Sequence, residues 1–140
     1  MRTNDWWKLA ALVLLAAGSM PGAGFESCPS QIAVQPQRIA KPVSGWSVIS
    51  SEEPHQLTSI AFYDGDPKEN ASLAPDQTGR QRQVWTLAAQ SRPYWLSCHY
   101  SGTTLVLARP LPAAVRQCVI TYEPSVTLEG MPQIKEISCK

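Results

Sequence analysis

The chain is short of charge, of histidine and of any long apolar run. Only 16% of its 140 residues are charged, and Lys and Arg number 12 against 11 Asp and Glu, a formal net charge of +1. The basic residues are scattered, so the sequence carries no electrostatic footprint for nucleic acid or for an anionic membrane surface. Histidine occurs twice, at His55 and His99. A thiol–imidazole reading of Cys98-His99 fails on geometry, because neighbours in a strand point to opposite faces. No pair of cysteines has Cys-x-x-Cys spacing, and Gly45-Trp46-Ser47 lacks the closing glycine of a nucleophile elbow. The expectation is no catalytic residue, no metal and no cofactor.

The longest apolar stretch, Leu9 to Ala17, is shorter than the ~20 residues that span a membrane. It follows Arg2 and Lys8 and precedes the small residues Gly18, Ser19, Gly22, Ala23 and Gly24. That order reads as a secretory signal cleaved between residues 19 and 24. A lipoprotein reading would acylate Cys28, but Phe25-Glu26-Ser27 is a poor lead-in for it. Residues 25–140 are then expected as one secreted domain, periplasmic or extracellular, with no membrane insertion. Without residues 1–24, which include Arg2, Lys8 and Asp5, the two signs of charge are equal in number.

All four cysteines, Cys28, Cys98, Cys118 and Cys139, lie after the signal, in a compartment that permits disulfides. Four cysteines allow three pairings. Two are open: Cys98–Cys118 with Cys28–Cys139, or Cys118–Cys139 with Cys28–Cys98.

Proline punctuates the chain. Of 12 prolines only Pro21 falls in the signal, and most of the others stand near the ends of apolar segments. Proline is disfavoured inside helices and central strands. The segments between, rich in β-branched and aromatic residues, read as strands at 31–35, 46–50, 57–63, 83–88, 94–100, 103–108, 116–122 and 134–139. Alternation places Tyr94, Leu96, Cys98 and Tyr100 inward, and sets Trp85 and Leu87 opposite Val84, Thr86 and Ala88. Ser101-Gly102 reads as a short hairpin and Glu129-Gly130 as a second. Residues 94–122 would form a three-stranded meander. The fold class is mostly β, an antiparallel sheet or small sandwich stapled by disulfides.

The longest polar connection, residues 64–80, is the expected binding loop, through Asp64, Asp66, Glu69 and Asp76. Three of these acids resemble calcium ligands, but the alternating ligand loop is absent and Asp-Gly and Asp-Pro are ordinary turn chemistry. Trp46, Trp85 and Trp95 read as core, with an exposed aromatic contact as the alternative. Asn70-Ala71-Ser72 is a glycosylation sequon, relevant only in a glycosylating pathway.

The pieces also stand in a recognisable order: Cys28-Pro29, Gly45-Trp46, Asp64-Gly65-Asp66-Pro67, Leu73-Ala74-Pro75-Asp76 and Trp85-Thr86-Leu87. Then come Tyr94-Trp95-Leu96-Ser97-Cys98-His99-Tyr100, Thr103-Thr104, Leu111-Pro112 and Cys118. This order resembles an uncharacterised family of small secreted, cysteine-containing proteins of Gram-negative bacteria. The resemblance implies an envelope protein, with an immunity role beside secreted toxins suggested for some members, and Cys139 less general than the other cysteines. The expected function is a small binding module, an inhibitor or immunity protein of an envelope-targeted enzyme, whose partner is an envelope or secreted protein. The alternatives are a structural or accessory envelope protein and a small cell-wall hydrolase.

Overall fold

The computed structural model describes residues 24–35, 38–50 and 52–140. The expected signal lies outside them, apart from Gly24.

The elements run β1 (Gln31–Ile32), β2 (His55–Asp64), a 3-10 turn (Pro67–Glu69), β3 (Ser72–Leu73), β4 (Gln77–Thr78), β5 (Arg82–Thr86), β6 (Tyr94–Tyr100), β7 (Val106–Pro110), β8 (Gln117–Leu128) and β9 (Met131–Cys139). They form two antiparallel sheets. One has the order β1-β2-β6-β7, with β3 also beside β2; the other is β4-β5-β8-β9.

The two inner faces share one core. Phe62, Leu96, Cys98 and Tyr100 meet Trp85, Leu87, Cys118, Ile120 and Ile137. Phe62 and Trp85 pack as tilted rings with centroids 4.9 Å apart. The Trp85 indole N–H donates to the Leu73 carbonyl at 3.0 Å, so one side chain joins the sheets by burial and by a hydrogen bond.

The strand at 94–100 lies where its alternation puts it. Leu96, Cys98 and Tyr100 are buried in the core. The three-stranded meander does not form. β6 and β7 pair, but residues 111–116 then carry the chain into the other sheet, where β8 lies between β5 and β9. Leu111 and Val115 are buried at this crossing. Backbone bonds from Leu111 to Tyr94 (2.7 Å) and from Leu87 to Arg116 (2.8 Å) fix its two ends. The Ser101-Gly102 turn is likewise longer than a two-residue hairpin, since His99 pairs with Val106.

That crossing decides the disulfides, which are Cys28–Cys98 and Cys118–Cys139. Gln117 and Lys140 exchange backbone hydrogen bonds at 3.0 and 2.9 Å. The next pair, Cys118↔Cys139, is therefore the close, non-hydrogen-bonded type, with Cα atoms 4.1 Å apart. The Cys28–Cys98 bridge ties the N-terminal segment to β6, and the Tyr100 hydroxyl adds a 2.9 Å bond to the Pro29 carbonyl.

Residues 46–50, expected as a strand, form none. The whole described segment 38–50 is exposed.

Candidate docking surface

The expected acidic loop is built rather than loose. Within residues 64–80 lie the 3-10 turn, β3 and β4. Its four carboxylates each meet an internal donor. Asp66 accepts from the Lys68 backbone at 2.9 Å and caps the 3-10 turn. Asp76 accepts from the Thr86 N–H at 2.5 Å, bracing β5. Asp64 takes the Gln90 amide at 2.8 Å and the Arg92 Nε at 3.3 Å. Glu69 takes the same guanidinium at 2.7 Å. These charge-assisted bonds hold the Arg92 pKa above its usual value, chiefly through the hydrogen bond to Glu69. Arg92, which gives no signal in the sequence, is the centre of the group.

The histidines do not come together. His55 bonds the Ser101 carbonyl at 2.5 Å, at the mouth of the β6–β7 turn. The His99 Nε2 lies 3.0 Å from the Ser97 hydroxyl, and burial lowers its pKa. Among the described residues, no three His, Cys, Asp or Glu side chains are placed to hold a metal ion.

Apolar surface is exposed at Val126 and Met131 on the β8–β9 arm and in two larger patches. In segment 38–50, Trp46 is 80% and Ile49 93% exposed, with Ile39, Val43 and Val48 beside them. Of the three tryptophans after the signal, only Trp85 belongs to the shared core. The second patch is β7 and its lead-in, where Leu105, Val106 and Leu107 are 42–51% exposed. On the outer face of this sheet the register sets Ser72, Tyr63, Trp95 and Pro110 in one row across four strands. The next row, Ala61, Ser97 and Ala108, is made of small residues only. The acidic group adjoins the Pro110 end of this surface, because Asp64 pairs with Tyr94, whose carbonyl takes the Leu111 N–H.

Besides a small cleft of about 80 Å³ beside Arg92, Tyr94 and Leu111, two larger ones are present. One of about 240 Å³ lies between the start of β2 and the β8–β9 arm, lined by Ser30, Leu57, Val126, Leu128 and Ile134 among others. The other, about 160 Å³, lies between the N-terminal segment and β7. Among the described residues no helix is long and apolar enough to cross a membrane.

Known proteins give two similarities. The sequence profile of one family, described as "Type VI secretion system Tli immunity protein", matches residues 51–140. An "Uncharacterized 16.3 kDa protein in trpG 5'region" of Azospirillum brasilense is 32% identical over 126 residues, covering 82% of this chain and 83% of that protein. No solved structure matches the chain.

Proposed function

This chain belongs to the type VI secretion system Tli immunity protein family, and on that premise we propose that it is a periplasmic immunity protein. It binds a secreted effector aimed at the envelope and neutralises it by occupancy rather than by catalysis. The observation that carries this reading is the family match over residues 51–140, a span that contains β2 to β9.

The architecture suits the task. Two disulfides fix both ends of the described chain, Cys28 onto β6 and Cys139 onto β8. A surface held this way loses little conformational freedom on binding, which favours tight complexes. The apolar patch on β7 offers area to bury, and an exposed contiguous patch marks an interaction site. Asp64, Asp66, Glu69 and Asp76 are proposed as a polar rim beside it, acting on association rate more than on affinity.

The test is protection. Cells that direct an envelope-targeted type VI effector of the same genome into their own periplasm should survive, for one such effector, when the full chain is co-expressed. They should die when residues 1–24 are deleted from it. Protection that saturates at one chain per effector supports occupancy. Cells that die with every such effector despite abundant periplasmic protein would sink the reading.

A further inference from the structure

Among the described residues one edge of the sandwich is open, and the other three are closed in ways that proteins use against unwanted strand pairing. Flanking β2 are β1 and β3, each two residues long, and β4 is equally short. The longer β9 carries Pro132, Lys135 and Glu136. In contrast β7 offers five residues, exposed throughout, and its single charge, Arg109, is folded back onto Glu26.

The backbone along this edge is presented for pairing. Leu111 donates its N–H to Tyr94, and the register pairs Arg109 with Leu96 and Leu107 with Cys98. Antiparallel ladders alternate. Leu107 and Arg109 therefore turn their backbone groups toward β6, while Val106 and Ala108 turn theirs outward. Pro110 holds the next outward position, where its missing N–H takes nothing from the sheet.

A receptacle lies beside the edge. The cavity of about 160 Å³ is lined by Cys28, Pro29, Leu96, Cys98, Leu107 and Ala108, with Glu26 and Arg109 paired at its rim. A residue set opposite Leu107 by an added antiparallel strand shares the face of Leu107. Cys98 and Leu96, behind Leu107 on that face, form the cavity wall.

We propose that the effector supplies an extended segment that adds to β7 as a new strand, with one apolar side chain seated in this cavity. The ladder supplies affinity and the cavity supplies selectivity, the division of labour usual in strand addition. The proposal rests on the immunity reading above. A second copy of this chain fits the edge less well. Pairing β7 with itself about Ala108 sets Pro110 against Val106, losing a ladder bond at each end, and brings Arg109 against Leu107 at the cavity mouth.

The experiment uses the purified protein, the purified effector against which it protects, calorimetry and hydrogen exchange. The Val106 and Ala108 amides should exchange quickly in the free protein and slowly in the complex. Ala108→Pro removes an outward donor and leaves the β6 ladder whole, and Leu107→Arg fills the cavity mouth. Each should weaken binding about tenfold or more. Lys135→Ala, on the β9 edge, should not. Unchanged affinity in both edge variants, with the wild-type complex intact, overturns the proposal and leaves the immunity reading standing. Slow exchange of Val106 and Ala108 in the isolated protein also overturns it. Concentration dependence would then assign the edge to a second copy, and its absence would assign it to residues 46–50. No wild-type complex at all overturns both the reading and the proposal. Should Ala108→Pro not fold, hydrogen exchange on the wild-type pair decides alone.

Discussion

Arg92 fills the space that a side chain on Gly65 would need. A Cβ added at Gly65 would lie 1.6 Å from the Arg92 Nη2, and Gly65 has φ +90. The arginine reaches this point because Asp64 and Glu69 draw it across the end of β2, with the Asp64 carbonyl as a further acceptor. Glycine at 65 is thus favoured by its backbone conformation, and a Cβ there would also have to displace the half-exposed guanidinium.

Gly65→Ala should therefore cost about 1–3 kcal/mol, the range for a non-glycine residue in a disfavoured backbone region. Arg92→Ala alone should cost little, since its ion pairs are half exposed and screened by water. The double variant separates the two causes. If the guanidinium contributes, Arg92→Ala will recover part of the Gly65→Ala loss. Urea titrations of the four proteins measure this coupling, and strict additivity would assign the whole effect to the backbone.

The two disulfides should contribute unequally. Cys28–Cys98 spans 70 residues and Cys118–Cys139 spans 21. In the chain-entropy model these loops correspond to about 4.4 and about 3.3 kcal/mol. Alanine at Cys28 and Cys98 should thus lower stability more than alanine at Cys118 and Cys139. It should also free the N-terminal segment, which loses its covalent tie to β6 while keeping the Tyr100 bond to Pro29. Denaturation midpoints rank the two pairs. The opposite order would show that burial of Cys118, fully enclosed in the core, outweighs loop length.

Local pattern made much of this legible, and long-range pairing is where it ended. Tyr94 to Tyr100 alternates cleanly, and its strand has the bounds that the alternation gives. The observed connectivity is one of the two pairings the sequence leaves open, and the expected meander, which does not form, could not choose between them. The destination of β8 was not legible. Nothing in residues 111–116 distinguishes a turn back onto β7 from a crossing to the second sheet, because the choice depends on core space between the sheets. Residues 46–50 have the β-branched and aromatic content of a strand, yet a strand exists only where a neighbour takes its backbone groups. The acids of residues 64–80 drew attention as a binding loop. Their internal donors, above all Arg92, are up to 28 residues away in sequence and leave no local trace.

Acid should weaken the fold through His99. Burial holds this imidazole below its ordinary pKa of about 6.5. The unfolded chain then binds a proton at His99 more readily than the folded one. The stability this neutral histidine gives is complete above about pH 6.5 and is lost as pH falls through the lower folded value, after which the loss levels off. His99→Gln, which cannot titrate, should show a shallower decline as pH falls below about 6.5. Urea midpoints across that window check it, and equal slopes in both proteins would move the acid sensitivity elsewhere.

The β8–β9 hairpin offers a gain rather than a loss. Its two-residue turn has Glu129 at φ 51 and Gly130 at φ 79, both left-handed, the type I′ geometry that matches strand twist. Gly130 suits this conformation. Glu129 does not, because a long side chain with a Cβ is strained there, whereas asparagine tolerates it. The turn puts Leu128 opposite Met131, and two register shifts, between Glu123 and Thr127 and between Thr121 and Tyr122, separate it from the Cys118↔Cys139 pair. Glu129→Asn should raise stability by about 0.5 kcal/mol or more, in the range of other turn and cap improvements. Gly130→Val should lower it by about 1–3 kcal/mol. Reduced and oxidised forms should be compared, since the Cys118–Cys139 bridge ties the far end of the same hairpin. In the oxidised protein the gain is expected mainly as a higher urea midpoint, and in the reduced protein also as faster correct re-oxidation of that pair. If Glu129→Asn moves neither, the turn follows the strands rather than directing them.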